Sequence, residues 1–538
     1  MQQVFSNRLK QAMEQKGFKQ ADLIQEAGSR GKKLGKSQVS QYVSGKTVPR
    51  PAVAELLADI LGVELPWLMG DAWVVEHGAS GDGTGIEQAC AQAGETSSTA
   101  THAVERATAR PAAASPLSIS NTPTERNSNM TTPVRTFKKS SKLDNVLYDV
   151  RGPVLDEANR LEAEGAHILK LNIGNPAPFG FRTPFEVIQD MRDQLPDCEG
   201  YSDSRGLFSA RKAIMQYSQI KNLPNVSMDG IYTGNGVSEL INLCMQALLD
   251  NGDEILIPSP DYPLWTACAT LSGGTPVHYR CDEQAEWNPD LADIEAKITP
   301  RTKAIVIINP NNPTGAVYAR EILEGIVKIA RKHQLMIFSD EIYDRLCMDD
   351  AEHISIASLA PDLFCVTFSG LSKSHMIAGY RIGWMVISGN KKLGEDFMYG
   401  VNMLSNMRLC SNVPAQSIVQ TALGGHQSVK DYVVPGGRVY EQRNYVYEAL
   451  NAIDGITAVK PKAAFYIFPK MDIKKFNIHD DEQFALDLLH QKGILITRGG
   501  GFNWPEPDHF RIVYLPRMEV LRESMEDLAE FFATYRQA

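Results

Sequence analysis

From about residue 140 to the end, apolar runs of strand length alternate with helical patterns. EILIPSP, AIVIINP, LMIFSDEIYD and LFCVTFSG each read as a short buried strand closed by a loop of polar and turn residues. Amphipathic stretches such as REILEGIVKIARKH lie between them. This alternation predicts an α/β fold with a large, mostly parallel sheet covered by helices, and ligands outside the carboxyl ends of the strands. Residues 1–71 follow another rule. NRLKQAMEQKG sets Leu9 and Met13 on one helical face, KQADLIQEAG and PAVAELLADILG repeat the spacing, and Pro51 suits a first turn. A small all-α domain is expected there. Residues 72–139, rich in Gly, Ala, Ser, Thr and Pro and nearly without aromatics, read as a flexible linker. Met130 within it reads as a linker methionine or an internal start.

Composition adds scale and sign. With 538 residues, the chain exceeds the roughly 100–200 of one ordinary domain, so two or more are expected. No apolar run is long enough to cross a bilayer, and the first residues lack a secretory signal, which predicts a cytoplasmic protein with no membrane partner. The eight cysteines lie far apart, without a Cys-x-x-Cys pair or zinc-ligand spacing, so free thiols and no metal are expected. Residues 1–50 hold ten Lys/Arg against three Asp/Glu, a net of +7, while the rest hold 44 against 61, a net of -17. A basic module joined to an acidic body follows.

Candidate chemistry gathers at the strand ends. TFSGLSKSHMIAGYRIGW offers Lys373 and, eight residues on, Arg381. A neutral lysine can condense with an aldehyde, and an arginine fork can grip a phosphate. Alone, the two read equally well as solvated charges. Asp340 closes an apolar strand, where a carboxylate could keep a pyridinium nitrogen protonated or be only an exposed turn acid. Asn312, in INPNNPTG, could bond a ring oxygen or simply shape a turn. In IYTGNGVSELINLCMQALLD a strand, a glycine turn and a helix follow one another, with Val237, Leu240, Ile241, Cys244, Met245 and Leu248 on the face expected to be buried. Gly236, Val237 and Ser238 open that helix, as a phosphate seat or as an ordinary cap. Tyr262 could stack on a flat ring or sit in the core.

Several motifs in one chain order then carry a resemblance: LYDVRGPVL, LNIGNPAPFGF, INPNNPTG, SDEIYD, SGLSK with AGYRIGW, and DHFRIVYLP. Residues 140–538 resemble the class I aminotransferases of pyridoxal-phosphate fold type I, and among these the bacterial alanine (glutamate–pyruvate) aminotransferases. The resemblance implies a small domain from about 140–182 and 430–538 and a large one over 183–429. It implies pyridoxal 5′-phosphate as cofactor, amino acids and 2-oxo acids as substrates, and transfer between L-alanine and 2-oxoglutarate. Lys373 resembles the lysine that carries the cofactor as an aldimine and moves the substrate proton. Asp340 resembles the partner of the ring nitrogen, Asn312 and Tyr343 the ligands of the ring oxygen, and Tyr262 the stacking aromatic. Arg381 and Gly236–Ser238 resemble the phosphate ligands. Arg511 resembles the arginine that holds the substrate carboxylate, with Gly174 beside it. Tyr148 and Arg151 match the segment expected to admit the side-chain carboxylate of glutamate. Tyr201 resembles the tyrosine that reaches a neighbouring subunit's phosphate, which implies a homodimer. One position departs from the family: where many members have a serine three residues before the lysine, this chain has Gly370.

QADLIQEAG, a turn and KSQVSQYVSGKTVPRP resemble a helix-turn-helix of the Cro and phage-repressor type. Double-stranded DNA is the partner this implies. Ser37, Gln38, Gln41 and Tyr42 are the candidates for base edges, and Lys46 with Arg30, Lys32, Lys33 and Lys36 for phosphates. A helical bundle for protein contact is the plainer reading of the same pattern. Two alternatives to a DNA-tethered aminotransferase stand beside it. One is a regulator whose enzyme-like half senses a ligand; the other is a pyridoxal-phosphate β-lyase.

Overall fold

The computed structural model describes residues 2–32, 34–45, 47–49, 51–69, 136–144, 146, 148 and 152–538. The chain divides into two units, Met1–Asn129 and Met130–Ala538. Nearly all of the stretch expected to be a linker, Met130 included, falls outside the described residues, as does Cys90. Among the described residues no helix is long and apolar enough to cross a membrane, and the seven described cysteines are free.

In the larger unit β1 (Leu169–Lys170) comes first. The main sheet then takes β2 (Ile231–Asn235), β3 (Glu254–Ser259), β4 (Thr275–Asp282), β5 (Asn288–Pro289), β6 (Thr302–Ile308), β7 (Met336–Asp340), β8 (Phe364–Gly370) and β9 (Ile382–Gly389). Their order across the sheet is β2-β9-β8-β7-β6-β3-β4-β5. β8, β7, β6, β3 and β4 run parallel, whereas β9 is antiparallel to both its neighbours and β5 to β4. Successive side chains go to opposite faces. Ile255, Ile257, Val306 and Phe338 join one apolar cluster, and Leu256, Ile305, Ile307 and Ile337 join another. Both faces are therefore dry, which explains why these strands read as unbroken apolar runs. The Arg320–His333 helix covers one face with Leu323, Ile326, Val327 and Ala330, and its basic last turn complements the helix dipole. On the Val237–Leu248 helix, Leu240, Ile241, Cys244 and Met245 are buried as expected, but Leu243 joins them, while Val237 and Leu248 are only half-buried.

A further core joins distant parts of the chain. Val154, Leu171 and Phe181 pack with Val439, Phe484, Phe510 and Phe531. Small strands follow in this region: β10 (Ile456–Thr457), β11 (Tyr466–Ile467), β12 (Lys470–Met471), β13 (Ile494–Leu495), β14 (Thr497–Arg498) and β15 (Phe510–Val513). β1 pairs with β13, and β15 lies between β11 and β14.

Among the described residues the N-terminal unit shows five helices: α1 (Gln2–Lys16), α2 (Gln20–Ser29), α3 (Lys36–Ser44), α4 (Pro51–Leu61) and α5 (Leu65–Met69). Phe5, Leu9 and Met13 recur every four residues along α1 and are buried together, with Leu23, Ala27, Leu57 and Leu61 beside them. Leu34, in the turn between α2 and α3, is drawn into the same core. One expectation is corrected here. Tyr42 is not available to a base edge: it is 4% exposed, its ring meets that of Phe5 edge-on at 6.1 Å, and its hydroxyl accepts from the Gln38 Nε2 at 2.9 Å. Three residues after the buried Val39, it shares the inward face of α3. Gln38 and Gln41 remain exposed. Arg30, a phosphate candidate, is instead paired with Glu26 at 3.3 Å and with Asp59. Lys33, Lys46 and the side chain of Ser37 fall outside the described residues. Replacing Tyr42→Ala is expected to cost the N-terminal unit about 3–5 kcal/mol, and Tyr42→Phe much less. Calorimetry of the full chain checks this; an N-terminal transition unmoved by Tyr42→Ala would show that the ring carries no core packing.

Candidate active site

One cavity of about 680 Å³ opens at the carboxyl ends of the parallel strands, and its walls come from several loops of the larger unit. β7 delivers Asp340 to it, and the turn that follows delivers Ile342 and Tyr343. The loop after β6 brings Asn312, and the loop after β3 brings Tyr262. Lys373 stands on a single helical turn, Leu371–Ser374, directly after β8. Arg511 comes from β15, and Tyr148 and Gly174 from the segments before the main sheet.

Asp340 is the most constrained group. It is buried, and among the described residues its carboxylate accepts two hydrogen bonds, from the Trp265 indole and the Ile342 backbone N–H, both at 3.3 Å. Burial pushes its carboxyl up to about 6, and those two donors offset only part of the rise. A ligand cation against it would restore the charged form.

The opposite end is built for an anion. The Val237–Leu248 helix opens after Gly236 with no side chain capping it, so its first N–H groups are free to point outward. Arg381 sits in the left-handed region at φ 59 and donates to Ala378 O at 2.9 Å and to Asn235 O at 3.3 Å, which holds the guanidinium beside the turn. A Cβ at Gly236, itself at φ 80, would strike that guanidinium, so the close approach requires glycine. Gly236 supports the seat from behind, while Val237, Ser238 and Arg381 line the cavity.

Between these poles lies the amine. Lys373 Nζ donates to Gly174 O at 2.6 Å and stands 5.9 Å from the centre of the Tyr343 ring. Arg511 is 3% exposed and lies between the rings of Tyr466 and Phe502, at 4.4 and 4.5 Å. It donates to Asn312 Oδ1 at 2.9 Å and to the Asn172 carbonyl, while its Nε has no partner among the described residues. Among the described residues it pairs with no carboxylate, so a buried cation faces the cavity with neutral partners alone. That arrangement suits a ligand carboxylate.

The cavity therefore gathers Lys373, Asp340, Asn312, Tyr343, Tyr262, Arg381, Val237, Ser238, Gly174, Arg511 and Tyr148. Tyr201 is elsewhere, 82% exposed and away from its own cavity, and Arg151 falls outside the described residues. Tyr466 was missed by sequence reasoning. Flanked by Phe465, Ile467 and Phe468, it reads as core, and only the pairing of β11 with β15 sets it against Arg511. Its hydroxyl bonds that of Tyr343 at 2.7 Å; burial opposes its ionisation, but the charges of Lys373 and Arg511 outweigh burial and lower it. Trp265 was also missed, although it lies three residues after Tyr262 at helical spacing. The departure at Gly370 has a steric cause: a Cβ there would lie 2.8 Å from Ile382 O and 3.0 Å from Gly383 Cα. Ser372 lines the cavity in its place and can supply a hydroxyl.

With this geometry in hand, similarity to known proteins is informative. Residues 166–529 match the family described as aminotransferase class I and II, and residues 9–68 match a helix-turn-helix family. The chain is 60% identical over 401 residues to the glutamate-pyruvate aminotransferase AlaA of Escherichia coli K12, covering 74% of this chain and 99% of that one. It is 57% identical over 404 residues to an alanine aminotransferase of Mycobacterium tuberculosis H37Rv, covering 75% and 94%. Among solved structures, an Escherichia coli aminotransferase superposes with a TM-score of 0.74 at 59% identity, covering 75% of this chain and all of that one. The alanine aminotransferase of Pyrococcus furiosus gives 0.71 at 38% identity, covering 74% and 100%.

The raised Asp340 carboxyl has a thermodynamic signature in protein free of ligand. The group binds its proton more tightly folded, at about 6, than unfolded, at 3.8. From this group, stability is therefore present below about pH 4 and is lost as pH rises through about 6, by on the order of 2–3 kcal/mol. Asp340→Asn should flatten that slope. Urea unfolding across this pH range checks it, and equal slopes for the two proteins would refute the shift.

Proposed function

Because the chain belongs to the class I and II aminotransferases, we propose that it moves the amino group between L-alanine and 2-oxoglutarate, giving pyruvate and L-glutamate, with pyridoxal 5′-phosphate as cofactor. The observation that carries this reading is the convergence of Lys373, Asp340 and Arg511 on one cavity. The substrate pair is supported by relatives that are glutamate-pyruvate and alanine aminotransferases at 57–60% identity. An under-solvated carboxylate, a flat aromatic wall and an anion seat fit the cofactor's ring nitrogen, ring and phosphate in turn. Asp340 would face the nitrogen, Tyr262 the ring, Asn312 and Tyr343 the ring oxygen, and Arg381 with the Gly236–Ser238 turn the phosphate.

When bound, the cofactor supplies an electron sink for the charge left as the substrate Cα loses its proton. The protein's own groups do the rest. Lys373 would hold the cofactor through its Nζ, would yield that place to the substrate amine, and its freed amine would then serve as the general base that takes and returns the substrate Cα proton. Arg511 exchanges neutral partners for the substrate α-carboxylate, gripping it with both arms of its fork. Gly174 borders that carboxylate, and Tyr148 with Arg151 admits the side-chain carboxylate of glutamate. Asp340 would keep the cofactor's ring nitrogen protonated. The same cavity floor serves both half-reactions, because a 2-oxo acid meets the same arginine.

We further propose a homodimer. Tyr399, Met403 and Met407 recur every four residues along the Glu395–Met407 helix and are exposed, and Ser204 ties the segment after Tyr201 to Asn406 on that helix at 2.6 Å. A second copy covering this stripe would bring each Tyr201 toward the other chain's phosphate seat. For the N-terminal unit we propose double-stranded DNA as partner, through Ser37, Gln38, Gln41 and Lys46. The match to a helix-turn-helix family and the +7 charge of residues 1–50 support it. A cytoplasmic setting suits both activities.

Purified protein loaded with pyridoxal phosphate is expected to lose its visible absorbance band on adding L-alanine or L-glutamate and to regain it with pyruvate or 2-oxoglutarate. Lys373→Ala should abolish turnover; normal turnover in that variant would end the reading, and a response to neither amino acid would end the substrate assignment. Against a duplex selected from a random pool, Gln41→Ala should cost about 1–3 kcal/mol, with affinity falling steeply in salt. Salt-insensitive or absent duplex binding would favour protein contact.

A further inference from the structure

Behind the turn that presents Asp340 and Tyr343 lies a largely buried charge cluster that does not line the cavity. Glu341 is fully buried, and Asp344 and His353 lie beside it. These three bring possible ligand atoms within 4.8 Å of one another, the reach of a metal site. The cluster already has its cation. The Lys221 ammonium, at the end of the Phe208–Ile220 helix, donates to Glu341 Oε2 at 2.5 Å and to Asp344 Oδ2 at 2.7 Å. Ser339 and Ser355 donate to the other Glu341 oxygen, Oε1, at 2.9 and 2.6 Å, and the Tyr217 hydroxyl donates at 2.5 Å to the same Asp344 Oδ2 that Lys221 holds. Burial alone would raise the Asp344 carboxyl, but the Lys221 charge overrides it and holds the group near 2. His353 is kept neutral by burial, so it does not compete as a cation.

The alternation of this segment is the point. Asp340, Ile342 and Tyr343 face the cavity, while Glu341 and Asp344 turn away from it onto one ammonium. We propose that Lys221 is a positioning residue for the cofactor: by clamping Glu341 and Asp344 it fixes the turn that aims Asp340 and Tyr343 into the cavity. This rests on the reading of those two residues as ligands of the cofactor ring. Two buried salt bridges on one lysine are a poor source of net stability, because desolvation offsets most of the attraction, but they hold geometry tightly. A carboxylate that must meet a ring nitrogen needs that kind of hold.

The test compares wild type with Lys221→Met, Lys221→Arg, Glu341→Gln and Arg443→Met. The last removes a buried guanidinium that pairs with the exposed Asp349 at 2.8 Å, and serves as a control for lost stability alone. Cofactor-free protein is titrated with pyridoxal phosphate by tryptophan fluorescence, and the pH midpoint of the visible band is measured on the loaded forms. Lys221→Met is expected to weaken cofactor binding roughly ten-fold or more and to displace the midpoint, as loss of an outer-shell partner does at other sites. Lys221→Arg, which keeps both ion pairs, should restore most of both, and Glu341→Gln should fall between. Arg443→Met should lose stability and keep both readouts. If Lys221→Met does not fold, Glu341→Gln and Lys221→Arg decide the matter by the same two measurements. A wild type that takes up no cofactor would overturn the reading of the site and this inference with it. A wild type that binds normally beside Lys221 or Glu341 variants of unchanged affinity and midpoint would overturn the inference alone.

Discussion

A carboxylate shut into an apolar floor governs how the larger unit is organised. Asp340 is buried and receives two N–H donors among the described residues, each at 3.3 Å. On another wall Arg511 is buried with an amide and a carbonyl for company and no counter-ion among the described residues. The two opposite charges line the same cavity and do not neutralise each other. Under the proposed function each would meet a ligand group of the opposite sign, and the binding energy of a charged ligand would be delivered where charge must be managed during reaction. The fold bears this because both faces of the sheet are packed dry and supply stability elsewhere.

Much of this was legible in the chain. Parallel-sheet strands announced themselves as short apolar runs because both of their faces are covered, and the residues just past each run proved to be those that line the cavity. What could not be read was contact between distant segments. Tyr466 looks like one more core aromatic until β11 pairs with β15, and Trp265 until its helix turns the indole toward β7. The Lys221 clamp was hidden for the same reason, since 120 residues separate the ammonium from Glu341. Local patterns report faces and periods; they do not report which loop end will lie beside another.

The N-terminal unit teaches the complementary lesson. The helical periods were plain, but choosing which α3 side chains look outward requires knowing the phase of the helix, and Tyr42 was assigned to the wrong side. An aromatic hydroxyl invites a polar reading, yet the ring is what the small core needed. A domain of this size has few large side chains to spend on its interior. The outward face of α3 carries Lys36, Gln38, Ser40, Gln41 and Ser44, all exposed.

Gly370 has a consequence for the history open to this lineage. Strands β8 and β9 meet there so closely that even a methyl would press on the Ile382 carbonyl. A descendant could acquire a serine at that position only after the seam had first widened, through changes at neighbours such as Ile382 or Gly383 that bring no benefit by themselves. The route is epistatic: the order of mutations matters, and the intermediate steps are uphill. Ser372, already at the rim, makes the journey unnecessary.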